Sequence, residues 1–96
     1  MPIAIPTPIP TPMPITLKLY AFLSDYLPAD ARRTNAVAID VPEQTTVAAL
    51  IATWALPPRL VHLVLLNGEF IPPPARAERA LIAGDVLAIW PPIAGG

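Results

Sequence analysis

The chain offers few side chains that could do chemistry. Its 96 residues contain no cysteine, one histidine (His62) and one serine (Ser24). The absence of cysteine rules out disulfide scaffolds, iron–sulfur clusters, thiolate zinc sites and cysteine nucleophiles. A serine–histidine–acid triad would have to use both Ser24 and His62, and neither lies in anything like a nucleophile turn. A lone histidine at the head of an apolar run reads as a strand-end residue, with no second ligand to make a metal site. Arg76 and Arg79, beside Glu78, read as a solvated loop face. No Gly-x-x-x-x-Gly-Lys loop or other anion-binding glycine run is present. One unusual element remains, the ending Trp90-Pro-Pro-Ile-Ala-Gly-Gly96.

The composition sets the frame for these residues. At this length the chain holds one small core, and 54% apolar against 14% charged residues lets that core collapse. A net charge of −1 gives no footprint for nucleic acid or for anionic lipid. No stretch approaches the ~18 apolar residues of a membrane span, and the N-terminus lacks the basic head of a secretory signal, so the expected location is cytoplasmic. Six of the fifteen prolines precede residue 15, all at even positions. Residues 1–14 are therefore expected to be an extended, unpacked arm that never makes a Pro-x-x-Pro step.

From Ile15 the pattern becomes that of a domain. Ile15, Leu17, Leu19, Ala21 and Leu23 alternate with Thr16, Lys18, Tyr20 and Phe22, which predicts a strand. Ser24 to Asn35 reads as a loop, and Ala36–Val41 as a second strand antiparallel to the first. Thr45 or Thr46 can cap a helix whose stripe is Val47, Leu50, Ile51 and Trp54, with Pro57-Pro58 as its stop. Val61–Leu66 is a continuous apolar run, Asn67-Gly68 a hairpin turn, and Glu69–Ile71 a brief edge strand. Three successive prolines keep Pro72–Arg79 out of any ladder. Ala83-Gly84-Asp85 is a turn, and Val86–Trp90 a last strand. Two strands, one helix and two or three further strands make an α+β chain. A helix crossover between strands predicts a mixed sheet of four to five strands, the β-grasp or ubiquitin-like fold.

Particular stretches then resemble a known family. Lys18-Leu-Tyr-Ala-Phe-Leu-Ser-Asp-Tyr-Leu-Pro28 is similar to the first-strand signature of the MoaD/ThiS sulfur carriers. Thr46-Val-Ala-Ala-Leu-Ile51 resembles the start of their helix, and Leu66-Asn-Gly-Glu69 their hairpin. Gly84-Asp-Val-Leu-Ala-Ile-Trp-Pro-Pro-Ile-Ala-Gly-Gly96 resembles their closing strand and tail, the most specific of these matches. The resemblance covers residues 15–96, leaving 1–14 as an extension, 15–90 as the β-grasp domain and 91–96 as a flexible tail.

The resemblance implies a non-catalytic carrier whose reactive group is the α-carboxylate of Gly96. An E1-like adenylyltransferase would activate it with ATP and magnesium, the carrier itself binding no cofactor. Sulfur delivery would give a thiocarboxylate, which donates sulfur inside a second enzyme. Physical reasons agree. Gly95-Gly96 can thread a narrow channel, and Pro91-Pro92 stiffens the root of the tail. Pro91, Pro92, Ile93, Ala94, Gly95 and Gly96 span at most about 20 Å at ~3.3 Å each, enough to enter a buried site.

Pro-Pro before the tail resembles the small subunit of molybdopterin synthase more than the thiamine thiazole carrier. The expected second partner is then the large catalytic subunit of molybdopterin synthase, or another sulfur-accepting enzyme. The Pro72-Pro-Pro loop departs from that subunit's pattern. Two other readings stand beside this one: a ubiquitin-like modifier joined through Gly96 to target lysines, and a non-covalent β-grasp module. Lys18 is the only lysine, which argues against polymeric chains. If Leu17, Leu19, Leu87 and Ile89 face the helix, then Tyr20, Phe22 and Trp90 point outward as candidate partner-binding anchors beside the tail.

Overall fold

The computed structural model describes residues 12–92. Alternating burial along β1 (Pro12–Leu19) puts Ile15, Leu17 and Leu19 in the core, and Thr16 and Lys18 on the other face. β2 (Ala36–Pro42) pairs with it antiparallel, with Ile15 opposite Ile39 and Leu17 opposite Val37. After the helix α1 (Val47–Thr53) come β3 (Leu63–Leu66), β4 (Glu69–Phe70) and β5 (Val86–Trp90). The sheet order is β2-β1-β5-β3-β4, and β1 and β5 are its parallel pair. The fold is the mixed five-stranded β-grasp with one main helix. Val47 and Leu50 of α1 join Leu17, Leu19, Val64, Leu66, Leu87 and Ile89 in one core, against which Ile51 and Trp54 pack half-buried. None of the helices among the described residues is long and apolar enough to cross a membrane.

Several boundaries differ from the sequence reading, among them β2 ending at Pro42 and β4 at Phe70. β1 begins at Pro12, three residues before Ile15, and pairs Pro12 with Pro42 and Pro14 with Asp40. The even phase of the prolines explains how. Even-numbered amides of β1 face β5, as Thr16 N–H does in donating to Asp85 O (2.9 Å), whereas Leu19 N–H donates to Asn35 O toward β2. Pro12 and Pro14 therefore lack donors only on the side where β5 has not yet begun, so no ladder bond is lost. The rest of the proline-rich arm, residues 1–11, lies outside the described residues.

At its other end β1 stops at Leu19. Ala21 is left-handed (φ 52°), and Ala21–Tyr26 forms a 3-10 helix that turns Leu23 into the core. Ala29–Ala31 makes a second short 3-10 turn. α1 is capped by Thr46, whose Oγ1 accepts from Ala49 N–H (3.1 Å). It ends before Pro57, because Ala55 turns left-handed (φ 56°). Ala55 N–H then donates to Ala52 O and Leu56 N–H to Ile51 O, a Schellman closure that buries Leu56. The apolar run that follows is strand only from Leu63, since Pro58–Leu60 is a 3-10 turn.

The two glycine turns meet at one end of the sheet. Asn67 (φ 52°) and Gly68 (φ 85°) form the left-handed pair of a tight hairpin. Asn67 Nδ2 donates to Asp85 Oδ1 (2.9 Å), Asn67 Oδ1 accepts from Val86 N–H (2.8 Å), and Asp85 Oδ2 accepts from Ile82 N–H (2.8 Å). Asp85 is 5% exposed, so these bonds replace most of its hydration. The Asn-Gly and Gly-Asp motifs are thus two halves of one clasp. Asp85→Ala should cost about 3 kcal/mol, since two bonds to a buried carboxylate are lost and Asn67 is left short of a partner. Asp85→Asn, which keeps one acceptor oxygen, should cost less, as read from urea unfolding midpoints at constant slope.

Candidate functional site

The helix covers one face of the sheet, and the register fixes what the other face displays. Across the middle runs a row from β4 to β2: Phe70, Leu65, Ala88, Lys18 and Ala36. One step toward the end of β5, Leu63 lies opposite Trp90. Tyr20, the residue after β1, stacks on the Trp90 ring with centroids 4.4 Å apart and planes 4° from parallel. One step the other way come Val86, Thr16 and Ala38. Phe70 is half exposed, while Leu63, Leu65, Val86 and Trp90 are half-buried with no layer of the fold above them. The result is an apolar open face of the kind that soluble proteins use for partners.

Trp90 is also the root of the tail. Its carbonyl accepts from His62 N–H (3.1 Å), and the preceding carbonyl, Ile89 O, accepts from Tyr20 N–H (3.1 Å). Pro91 is buried and Pro92 exposed. The backbone is therefore held from both neighbouring strands up to the residue where the tail leaves the sheet. Ile93, Ala94, Gly95 and Gly96 lie outside the described residues.

Of the three aromatics expected to point outward together, the structure brings Tyr20 and Trp90 into contact. Phe22 is 51% exposed but sits on the Ala21–Tyr26 3-10 helix, off the sheet, because the reversal at Ala21 ends the alternation on which its placement relied. Sequence reasoning passed over Leu63, Leu65 and Phe70. The signal was the unbroken apolar run through β3, which leaves no polar residue for the open face and so makes that face apolar too.

Arg76 departs further from expectation. It is 9% exposed rather than solvated, and its guanidinium donates to Ile71 O (3.1 Å), Val61 O (3.4 Å) and His62 O (3.3 Å). Burial lowers its pKa from the ordinary guanidinium value. It ties the Pro72–Arg79 loop to the segment entering β3. Arg79 fits the solvated reading, in an exposed pair with Glu69 at 3.6 Å. His62 is exposed, and among the described residues no group of three His, Asp or Glu side chains could hold a metal ion.

Comparison with known proteins decides what this architecture is. Residues 26–96 match the model of the ThiS family. The chain belongs to the ThiS family. Among solved structures, this ThiS-family chain is similar to small archaeal modifier protein 1 of Haloferax volcanii (32% identity, TM-score 0.58, covering 86% of this chain and 99% of that one). The fold is shared with a putative molybdopterin converting factor subunit 1 of Pyrococcus furiosus (17% identity, TM-score 0.62, 84% and 99%). It is shared too with small archaeal modifier protein 1 of Methanosarcina acetivorans (20% identity, TM-score 0.60, 90% and 99%). None of the curated proteins matches the sequence. Members of the ThiS family are small non-catalytic carriers, and this chain is a ubiquitin-like carrier of that kind.

The Tyr20–Trp90 stack links the two halves of the site and should be measurable as a coupling. In a double-mutant cycle of Tyr20→Ala and Trp90→Ala, the pair should show about 0.5–1.5 kcal/mol of interaction in unfolding free energy. A coupling near zero would mean that the rings do not hold each other.

Proposed function

We propose that this chain is a sulfur carrier whose working group is the α-carboxylate of Gly96. In this reading a carboxylate oxygen attacks the α-phosphorus of magnesium-bound ATP in an E1-like partner, and pyrophosphate leaves. Hydrosulfide from a sulfur donor then attacks the acyl carbon, displaces AMP and gives up its proton, leaving a thiocarboxylate. That sulfur is donated in a second enzyme, for which molybdopterin synthesis with its large catalytic subunit is our preferred assignment. The carrier binds no cofactor of its own and works in the cytoplasm.

The observation that carries the reading is the anchored root of the tail beside an open apolar face. A partner gripping Trp90, Leu63, Leu65 and Phe70 holds the body outside while the last residues enter its active site. The sequence from Pro91 to Gly96 supplies a stiff root and a slim end, and the family match runs through Gly96. The Pro-Pro root favours the molybdopterin pathway over thiamine, and the likeness in fold to a putative molybdopterin converting factor subunit supports it.

One observation favours a second reading, a ubiquitin-like modifier joined through Gly96 to protein lysines. It is the 32% identity to small archaeal modifier protein 1. Both readings need an activated tail, so activation is tested first. The chain should stimulate ATP–pyrophosphate exchange by an E1-like enzyme from the same cells, and deletion of Gly96 should abolish that stimulation. Undiminished exchange without Gly96 contradicts both readings. Blotting of tagged carrier from cell lysate under reducing conditions then separates them: a single band supports sulfur carriage, and a ladder of adducts supports the modifier.

A further inference from the structure

Lys18 stands in the middle row of the open face, one strand in from the β2 edge. The register sets it between Ala36 on β2 and Ala88 on β5. These alanines are too short to cover it, and beyond Ala88 in the same row lie Leu65 and Phe70. One step along stands the Tyr20–Trp90 stack. Lys18 is thus a half-buried cation with apolar surroundings. Among the described residues no carboxylate pairs with it, the single ion pair being Arg79 with Glu69, away from this row. Asp40, the acidic residue of β2, lies opposite Pro14, four residues from Ala36, or about 13 Å along the strand. Val86, Thr16 and Ala38 fill the row between them.

A partner that closes over this face strips water from the ammonium group. Losing that hydration without compensation is costly, so the partner surface must supply an anion at this point. We propose that Lys18 determines partner specificity, and that the surface docking here presents a carboxylate side chain ringed by apolar residues, opposite Lys18. The proposal rests on the reading of the open face as the docking surface for the activating enzyme. It adds the chemistry of the contact: an apolar ring provides the area, and one charge pair within it sets the register of docking. Docking also covers the chain's only lysine side chain, shielding that amine from the acyl group activated at Gly96.

The test uses full-length carrier and the E1-like enzyme that supports exchange with it. Lys18→Gln should weaken association about tenfold, and Lys18→Arg should restore most of it. The loss should appear mainly as faster dissociation and persist at high salt, since a pair buried in the complex is screened little. Acetylation by an N-hydroxysuccinimide ester, read by mass spectrometry, should fall at Lys18 in the complex relative to the N-terminal amine. Equal labelling of Lys18 in the free and bound states, or equal affinity of Lys18→Gln and wild type, overturns the assignment while leaving the carrier reading intact. Failure of the carrier to stimulate exchange by its E1-like enzyme overturns the carrier reading, and this assignment falls with it.

Discussion

The structure depends on β5 being hydrogen-bonded on both edges. A parallel partner, β1, holds one side and an antiparallel partner, β3, the other. Interior strands of this kind are the last to open, because opening them breaks two ladders and exposes a core residue at each alternate position. Here those residues are Leu87 and Ile89, both fully buried. The domain therefore ends on the central strand of its sheet, and the tail follows directly from it. If the tail is delivered into another protein's site, as proposed, it gains from such a root. In the proposed reading, the body that a partner would grip and the group it would modify share a fixed origin at Trp90.

The distant end of the sheet serves the same strand. Asp85 immediately precedes β5, and its carboxylate and backbone meet the Asn67 turn and β1 together. Pro14 O accepts from Gly84 N–H (2.7 Å), so even the proline-bearing start of β1 helps to fix this corner. Arg76 acts similarly in the long connection between β4 and β5. Its three carbonyl bonds, and the bonds from Ala48 N–H to Arg76 O (2.9 Å) and from Val47 N–H to Arg79 O (3.0 Å), fasten the proline loop under the start of α1. The helix end is therefore satisfied by this chain's own loop, and α1 is committed to structure.

How much of this was legible in the sequence follows from the range of each interaction. The period-2 burial of Ile15, Leu17 and Leu19, the helical stripe from Val47, the Asn67-Gly68 turn and the short β5 strand are local patterns, and they read directly. The β-grasp order follows from them once a single helix must cover one sheet. What failed to read was set by backbone at single residues or by distant partners. Ala21 and Ala55 adopt left-handed angles that alanine does not advertise, so β1 ends early and α1 closes before its prolines. Arg76 looks like any loop arginine until the fold brings Ile71, Val61 and His62 carbonyls around it. At the site, Tyr20 and Trp90 were legible from alternation on adjacent strands. Phe22 was misplaced by the turn at Ala21, and the role of Lys18 appears only when the register sets it between two alanines.

The central claim is chemical and concerns the last residue. The most direct measurement is the intact mass of the carrier, purified with Gly96 as its free C-terminus, after incubation with its E1-like enzyme, ATP, magnesium and a sulfur source. The account predicts a mass gain equal to exchange of one oxygen for sulfur, absent when Gly96 is deleted. An unchanged mass, with the enzyme shown to be active on another carrier, would contradict it.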